Sequence, residues 1–378
     1  MLANYREIET VKDVNHLIAT RRIITHCAFQ DIDFNECCCD IEHCHFQDCL
    51  FLGCTFPKDF YLRTTEGCLI FESMDVPYNA FRSQLYNAAS LYDGFDMNNP
   101  DTFKTCFDSV VYQRYLEYGK STTDIKESLA RSVHDNSISG ALHTLLAKYS
   151  PWQVVGVMGG HGLKRTGNMF RQIVLLSKKL TELGSLMVSG GGPGAMEATH
   201  LGSWMAGRTL EEVEDALSIV AQAPCISDEK WLQMAFEVME KYPQHQYESL
   251  GIPTWLYGHE PSTPFATHIA KYFDNSIRED GILSIAMGGI IYSPGSAGTL
   301  QEIFQEAVQN HYLTYGYSSP MIFLGKHFWE EEVPVYPLMQ QMLEAGTYKN
   351  LILSITDSAE DVVNEIGYFR QQMKDAEV

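Results

Sequence analysis

Positive charge is scarce in this chain. Its 378 residues carry 27 Lys and Arg against 48 Asp and Glu, a formal net charge of −21. A duplex-binding surface is built from clustered Lys and Arg, and no such cluster occurs, so nucleic acid is not an expected partner. A polyanionic membrane surface is disfavoured for the same reason. Long hydrophobic runs are missing too. The longest, near Ile282 to Tyr292, falls well short of the roughly 20 residues that a bilayer-spanning helix needs. The first residues, Met1 to Ile8, hold no apolar signal-peptide core. The expected setting is therefore the cytoplasm, with no membrane partner. A small anion remains a suitable ligand, because backbone amides can bind it inside an acidic protein.

Two further absences narrow the chemistry. No Cys-x-x-Cys pair with structural-zinc spacing is present. No Gly-Lys-Ser or Gly-Lys-Thr closes either of the glycine loops described below, which argues against a triphosphate-cleaving P-loop. Neither a metal nor a cofactor is expected.

Cysteine itself is plentiful but unevenly placed. Seven of the ten lie between Cys27 and Cys54. Without an export signal they read as reduced thiols. Cys44-x-Phe46, Cys49-x-Phe51 and Cys54-x-Phe56 repeat at a five-residue step, and Cys27-x-Phe29 and Phe34 keep the same step upstream. This resembles a pentapeptide-repeat pattern, in which each unit forms one side of a square β-solenoid with its central Phe pointing inward. The resemblance implies a short solenoid that packs on other parts of the protein, since stacked repeats need neighbours. The competing reading is a zinc site drawn from Cys37, Cys38, Cys39, His26, His43 and His45. The residues from Asp75 to Lys148 read as helical. Tyr112, Tyr115, Leu116 and Tyr118 form one stripe, and Ile125, Leu129 and Val133 another; both are assigned to core.

From Trp152 the pattern alternates. Candidate strands are Val154–Met158, Leu186–Val188, Leu217–Val220, Trp255–Tyr257, Ile290–Tyr292, Met321–Leu324 and Leu351–Ser354, with helix-like segments between most of them. Alternation of this kind predicts an α/β fold, a Rossmann-like doubly wound and mostly parallel sheet, with ligand beyond the strand C-termini. The N-terminal part would be a solenoid-like and helical extension. The expected divisions are residues 1–60, 61–149 and 150–378. His268 and Lys271 are expected on a helix.

Two glycine loops sit at that strand edge. Gly190-Gly191-Gly192-Pro193-Gly194-Ala195-Met196-Glu197 follows one strand. Ser293-Pro294-Gly295-Ser296-Ala297-Gly298-Thr299-Leu300-Gln301-Glu302 follows another. A strand, a small-residue loop and a helix start make an anion site, because free N–H groups and the helix dipole favour negative charge. Two such loops in one domain argue for a phosphorylated ligand.

These two loops together resemble the Lonely-Guy (LOG) family, whose members are often mislabelled lysine decarboxylases. The hallmark Pro-Gly-Gly-x-Gly-Thr-x-x-Glu corresponds to Pro294–Glu302, and the resemblance covers roughly residues 150–370. It implies a Rossmann-like, usually dimeric protein that hydrolyses a nucleoside 5′-monophosphate to free base and ribose 5-phosphate. It implies Arg278 and Glu302 as catalytic residues, without a cofactor. It also implies a small phosphorylated nucleotide as partner, in a homodimer or larger homo-oligomer. The substrate-binding set is Gly159, Gly160, His161, Gly191, Gly192, Gly194, Met196, Gly295, Ser296, Ala297, Gly298 and Thr299. Ser296 stands where the hallmark has its second Gly, and Ser is strained there if φ is positive. Arg278 lies one residue further from the loop than the pattern has it. A nucleotide sensor or carrier of the same fold is the alternative. Glu302 also fits a capping box with Thr299 as N-cap. His259 and Glu260 form a polar loop after a strand.

Overall fold

The computed structural model describes residues 5–37, 43–64 and 67–377. Cys38 and Cys39 of the metal alternative lie outside the described residues. The chain forms two compact units, Met1–Leu85 with Gln113–His143 and Tyr86–Tyr112 with Thr144–Val378.

In the first unit, short strands follow one another: β1 (Arg6–Ile8), β2 (Ile23–Thr25), β3 (Cys27–Gln30), β4 (His45–Gln47), β5 (Leu50–Leu52) and β6 (Leu69–Phe71), with helix α1 (Val11–Thr20) after β1. They pair only in parallel, as a four-stranded sheet β1-β3-β5-β6 and a two-stranded sheet β2-β4. Parallel register places like residues above one another. Phe29 stacks on Phe51 at 5.1 Å between ring centroids, and Phe34 on Phe56 at 5.4 Å. Cys27, Cys44, Cys49 and Cys54 are buried, and each thiol points at a main-chain carbonyl. Cys49 Sγ donates to Ile24 O at 3.4 Å and Cys54 Sγ to Phe29 O at 3.4 Å. Burial pushes the Cys49 thiol up to about 12 and that of Cys54 to about 11.

At pH 8 a thiol held near 12 has a thiolate fraction about 10³-fold below that of a free cysteine. Cys49 should therefore resist an alkylating reagent in the folded protein and react once guanidinium unfolds it. Rapid labelling of native Cys49, read by mass spectrometry, would contradict this burial.

The helical stretch differs in detail from the expectation. Helices α2 (Ala88–Leu91), α3 (Phe107–Tyr118) and α4 (Ile125–Leu146) form, but residues 75–87 hold no helix. The stripe of Ile125 and Leu129 is not core: they are 83% and 53% exposed, and Leu116 is 59% exposed. The side of α4 that is buried carries Glu127, Ala130, Arg131, His134 and Ile138 instead. Glu127 accepts from Arg114 Nε at 3.0 Å and Arg131 Nε at 2.9 Å, and this pairing lets a charged residue go inside.

The second unit is the α/β layer. Its elements, in chain order, are β7 (Val154–Met158), α5 (Asn168–Glu182), β8 (Leu186–Ser189), α6 (Ala195–Trp204), α7 (Leu210–Val220), α8 (Trp231–Lys241), β9 (Ser249–Gly251), β10 (His268–Ile269), α9 (Asn275–Ile285), β11 (Ile290–Tyr292), α10 (Ala297–Tyr312), β12 (Pro320–Leu324), α11 (Val335–Glu344), β13 (Ile352–Thr356) and α12 (Ala359–Glu377). Seven strands form one sheet in the order β10-β9-β8-β7-β11-β12-β13, every pair parallel. β7, β8, β11 and β12 are buried along their whole length, as expected for strands covered by helices on both faces. The chain winds outward from β7 to β10, then returns to start β11 on the other side of β7. That reversal is the switch point where doubly wound sheets open a crevice.

Three expectations are corrected. Leu217–Val220 ends helix α7, whose start is set by a capping box between Thr209 and Glu212. Trp255–Tyr257 is a 3-10 turn capped by Thr254. His268 lies in strand β10 and Lys271 just beyond it, not on a helix. The strands missed, β9 and β10, are too short to leave an alternating pattern.

Candidate functional site

A cavity of about 280 Å³ opens beyond the C-terminal ends of β7 and β11. Gly159, Gly160, His161, Met196, Arg278, Ser296, Gly298, Thr299 and Glu302 of the expected set line it, joined by Gly190, Tyr257, Glu260, Glu279, Gln301 and Gln305.

Backbone contact explains the glycines. Gly160 N donates to Pro294 O at 3.0 Å, and a Cβ on Gly160 would lie 3.5 Å from Gly295 Cα. The loops after β7 and β11 thus touch main chain to main chain. Gly194 has φ +70°, and a Cβ there would sit 2.6 Å from His161 O. Gly191 has the same φ and packs on Gly251. Gly191, Gly192 and Gly194 are buried behind the cavity wall, and Ala195 N donates to Gly160 O at 3.2 Å. Their loop shapes the cavity through Gly190 and Met196. Its first helical amide is already taken.

The loop after β11 is different. Ser296 is the N-cap of α10, with φ −115° and ψ −155°. That is extended backbone open to any residue, so Ser in place of the hallmark Gly carries no strain. Ser296, Ala297 and Gly298 are exposed. The N–H groups of Ala297, Gly298 and Thr299 belong to the first helical turn, where no intrahelical carbonyl is available. Thr299 lies inside this turn and is buried, so the capping-box reading of Glu302 does not hold; Glu302 sits one turn further in.

Around Glu302 the charges are unusual. Burial pushes its carboxyl up to about 7, Arg278 nearby pulls it down, and Glu279 pushes it up. Glu279 is occupied, accepting from Asn275 Nδ2 at 2.5 Å and Gln301 Nε2 at 3.4 Å. Gln305 Nε2 likewise donates to Asp280 at 2.7 Å. Arg278 Nε is buried with no hydrogen-bond partner among the described residues, and its guanidinium carbon is 5.9 Å from the Tyr257 ring centre. Such an orphan donor costs free energy unless a ligand satisfies it. Ser293 Oγ and Tyr292 Oη, at the end of β11, are also buried without a partner. Neither was assigned a role in the sequence, where Tyr292 reads as strand end and Ser293 as the first residue of the glycine loop. One turn below Glu302, Glu306 is buried, accepts from Ser319 Oγ at 2.8 Å, and is pushed up to about 7 by burial.

His161 and His259 are exposed and flank Glu260, with Nε2 to Oε1 distances of 4.0 and 3.9 Å. Among the described residues no group of three His, Cys, Asp or Glu is placed to hold a metal ion, and no helix is long and apolar enough to cross a membrane.

A deeper network fixes the glycine loop. His200 is fully buried. Its Nε2 meets Ser189 Oγ at 2.8 Å and its Nδ1 meets Ser249 Oγ at 3.0 Å, while Gly191 N donates to Ser189 Oγ at 3.1 Å. Burial alone drops its pKa to about 3, so it holds these hydroxyls as a neutral ring.

No family model and no curated protein matches the chain. Among solved structures it is similar to the molybdenum cofactor binding protein from the phototrophic bacterium Rippkaea orientalis. The identity is 17% over 57% of this chain and 95% of that one, with a TM-score of 0.36. It is also similar to a structural-genomics target designated TM1055, at 19% identity over 57% of this chain and 98% of that one, with a TM-score of 0.38.

Proposed function

We propose that this protein hydrolyses the N-glycosidic bond of a nucleoside 5′-monophosphate, giving free base and ribose 5-phosphate. The observation that carries the reading is Arg278 and Glu302, a buried orphan donor and a raised carboxyl, lining one cavity beside an open helix N-terminus. The 5′-phosphate would sit on the free amides of Ala297, Gly298 and Thr299, where the α10 dipole favours it. The ribose would then lie beside Glu302 and the base between Met196 and Tyr257.

In the reaction, water adds its oxygen to the anomeric carbon as the carbon–nitrogen bond breaks. The bonding pair leaves on the base nitrogen, which gains a proton, and the second proton of the water stays on the new hydroxyl. Ionised Glu302 would orient or activate the water and balance the positive charge that grows on the sugar ring. Arg278 would steady the departing base or the phosphate. Amino-acid decarboxylation has no support here: buried Lys271 is engaged with Asp108 at 2.6 Å and is not among the cavity-lining side chains.

The test is a panel of nucleosides and their 5′-monophosphates, followed by chromatography for free base. Monophosphates should be cleaved, and nucleosides should bind at least about 10²-fold more weakly, since losing two or three charge-assisted hydrogen bonds costs about 3 kcal/mol or more. Tight binding without base release would favour a nucleotide sensor or carrier. Equal affinity for nucleoside and monophosphate would remove the phosphate assignment. We further read the N-terminal strand stack as a short pentapeptide-repeat coil, supported by its parallel register and phenylalanine column, and the whole protein as a homo-oligomer.

A further inference from the structure

Tyr257 and Glu260 reach the cavity from residues 254–263, the 3-10 turn Trp255–Tyr257 and the irregular loop that follows it. Its internal hydrogen bonds include Gly258 N to Trp255 O at 3.1 Å, Glu260 N to Tyr257 O at 2.8 Å, and Leu256 N to Thr254 Oγ1 at 3.1 Å. Thr263 N ties its far end to Gly191 O at 2.8 Å. Groups outside the segment also hold it in place.

Its near end is tied to the chain after β10, where Trp255 N donates to Tyr272 O at 3.0 Å; a second set of supports comes from residues 86–112, far upstream in the chain. Tyr86 and Ile269 exchange both main-chain hydrogen bonds, at 3.0 and 2.7 Å. The buried Tyr92 hydroxyl donates to Ser262 O. Asp108 is buried on α3 and accepts from Trp255 Nε1 at 3.0 Å and from Lys271 Nζ at 2.6 Å; the same Nζ reaches Ser262 Oγ at 3.1 Å. Tyr112, one turn further along α3, packs so close to Gly258 that a Cβ there would come within 2.7 Å of its ring. Four separate links therefore run from 86–112 to the wall or to the strand beside it.

We propose that residues 86–112 brace the Tyr257–Glu260 wall, and that Tyr112 and Tyr92 are positioning residues that set affinity for the base end of the ligand. This rests on the site reading above for the identity of the ligand, and on the geometry alone for the brace. The phosphate end is held by α10, which 86–112 does not need to touch, so the two ends of one ligand should respond differently to the same substitution.

The experiment uses the full chain with Tyr112→Ala, Tyr112→Phe and Tyr92→Phe. Tyr112 is half-buried and uncharged, so its truncation strands no buried ion, unlike a change at Asp108. Amide hydrogen exchange is followed at Gly258, Glu260 and Thr263, and calorimetry measures adenosine 5′-monophosphate and ribose 5-phosphate. In Tyr112→Ala, exchange at these amides should quicken about tenfold and the nucleotide Kd should rise about tenfold, with ribose 5-phosphate within about twofold of the parent. Tyr112→Phe, which keeps the ring on Gly258, should behave as the parent. Tyr92→Phe should quicken exchange at Thr263 most. Unchanged exchange in Tyr112→Ala overturns the brace. An equal loss for nucleotide and ribose 5-phosphate, or no loss for either, overturns the base-end role. A parent that binds neither compound removes the site reading and the ligand half with it, while the exchange data still decide the brace.

Discussion

Glu302→Gln should lower base release by about 10²- to 10⁴-fold while leaving monophosphate affinity close to that of the parent. The amide keeps the shape of the side chain and removes the charge, so the loss isolates what the carboxylate does. The parent should also carry a pH signature. Its carboxyl is held up at about 7 by burial. If ionised Glu302 is the working form, kcat rises with pH through about 7 and levels off above it. In Glu302→Gln the residual rate loses that step. Stability moves the other way. The folded carboxyl titrates above its ordinary value of 4.5, so the stability it contributes is complete below 4.5 and is lost as pH rises through about 7. Glu302→Gln should therefore melt at a higher temperature than the parent at pH 8 and gain less at pH 5. A variant as active as the parent at pH 8, measured by base release, would show that Glu302 has no chemical role.

That opposition, activity lost while stability is gained, is common where a chain keeps an ill-placed charge for a purpose. It also marks what could be read in advance. The strands that carry the site were legible because each is a short apolar run followed by small residues: Val154–Met158 before Gly159, Leu186–Val188 just before the Gly190 loop, Ile290–Tyr292 before Ser293. Their order in the sheet follows from the winding rules of parallel sheets. Arg278 and Glu302 came from the motif around Pro294–Glu302. The competing capping-box reading of Thr299 and Glu302 put the cap three residues too late, because Thr-x-x-Glu imitates a cap that the chain makes at Ser296.

The rest left no periodic mark. Leu217–Val220 looks like a strand when read alone, and only Thr209 and Glu212 upstream show it to be the end of a helix. Ser249–Gly251 and His268–Ile269 owe their strand geometry to neighbours β8 and β9 rather than to their own side chains. Tyr257 and Glu260 reach the cavity through contacts with residues 86–112 that are distant in sequence. Ser293 and Tyr292 are orphans only in three dimensions. Pairings of this kind depend on the fold and cannot be inferred from spacing.

Arg165 shows how much can hang on such a pairing. Its sequence neighbours, Lys164 and Thr166, are exposed, and nothing about it suggested a special role. In the fold it is buried, and so is Glu197 on the first turn of α6. Its guanidinium grips that carboxylate with two nitrogens, Nε at 3.0 Å from Oε2 and Nη2 on Oε1. Nη1 donates to Ala223 O at 3.2 Å, and the group lies 4.7 Å over the Trp231 ring. The pair ties the segment after Gly159-Gly160-His161 to the helix that follows Gly190–Gly194, so both loops keep their positions at the cavity mouth. Arg165→Ala should destabilise the protein by about 3–5 kcal/mol, because it leaves the Glu197 charge buried without a counterion. At about 2–4 °C per kcal/mol for a domain of this size, the melting midpoint should fall by about 6–20 °C. Arg165→Lys should fall between, since a single ammonium cannot match two carboxylate oxygens at once. Removing both charges, as Arg165→Met with Glu197→Gln, should recover most of the loss, because the dominant penalty is the unpaired ion rather than the missing attraction. Thermal melts of the three variants decide it. A single Arg165→Ala within about 1 kcal/mol of the parent, or a double variant no better than the single one, would mean that the clamp is not what holds the two loops.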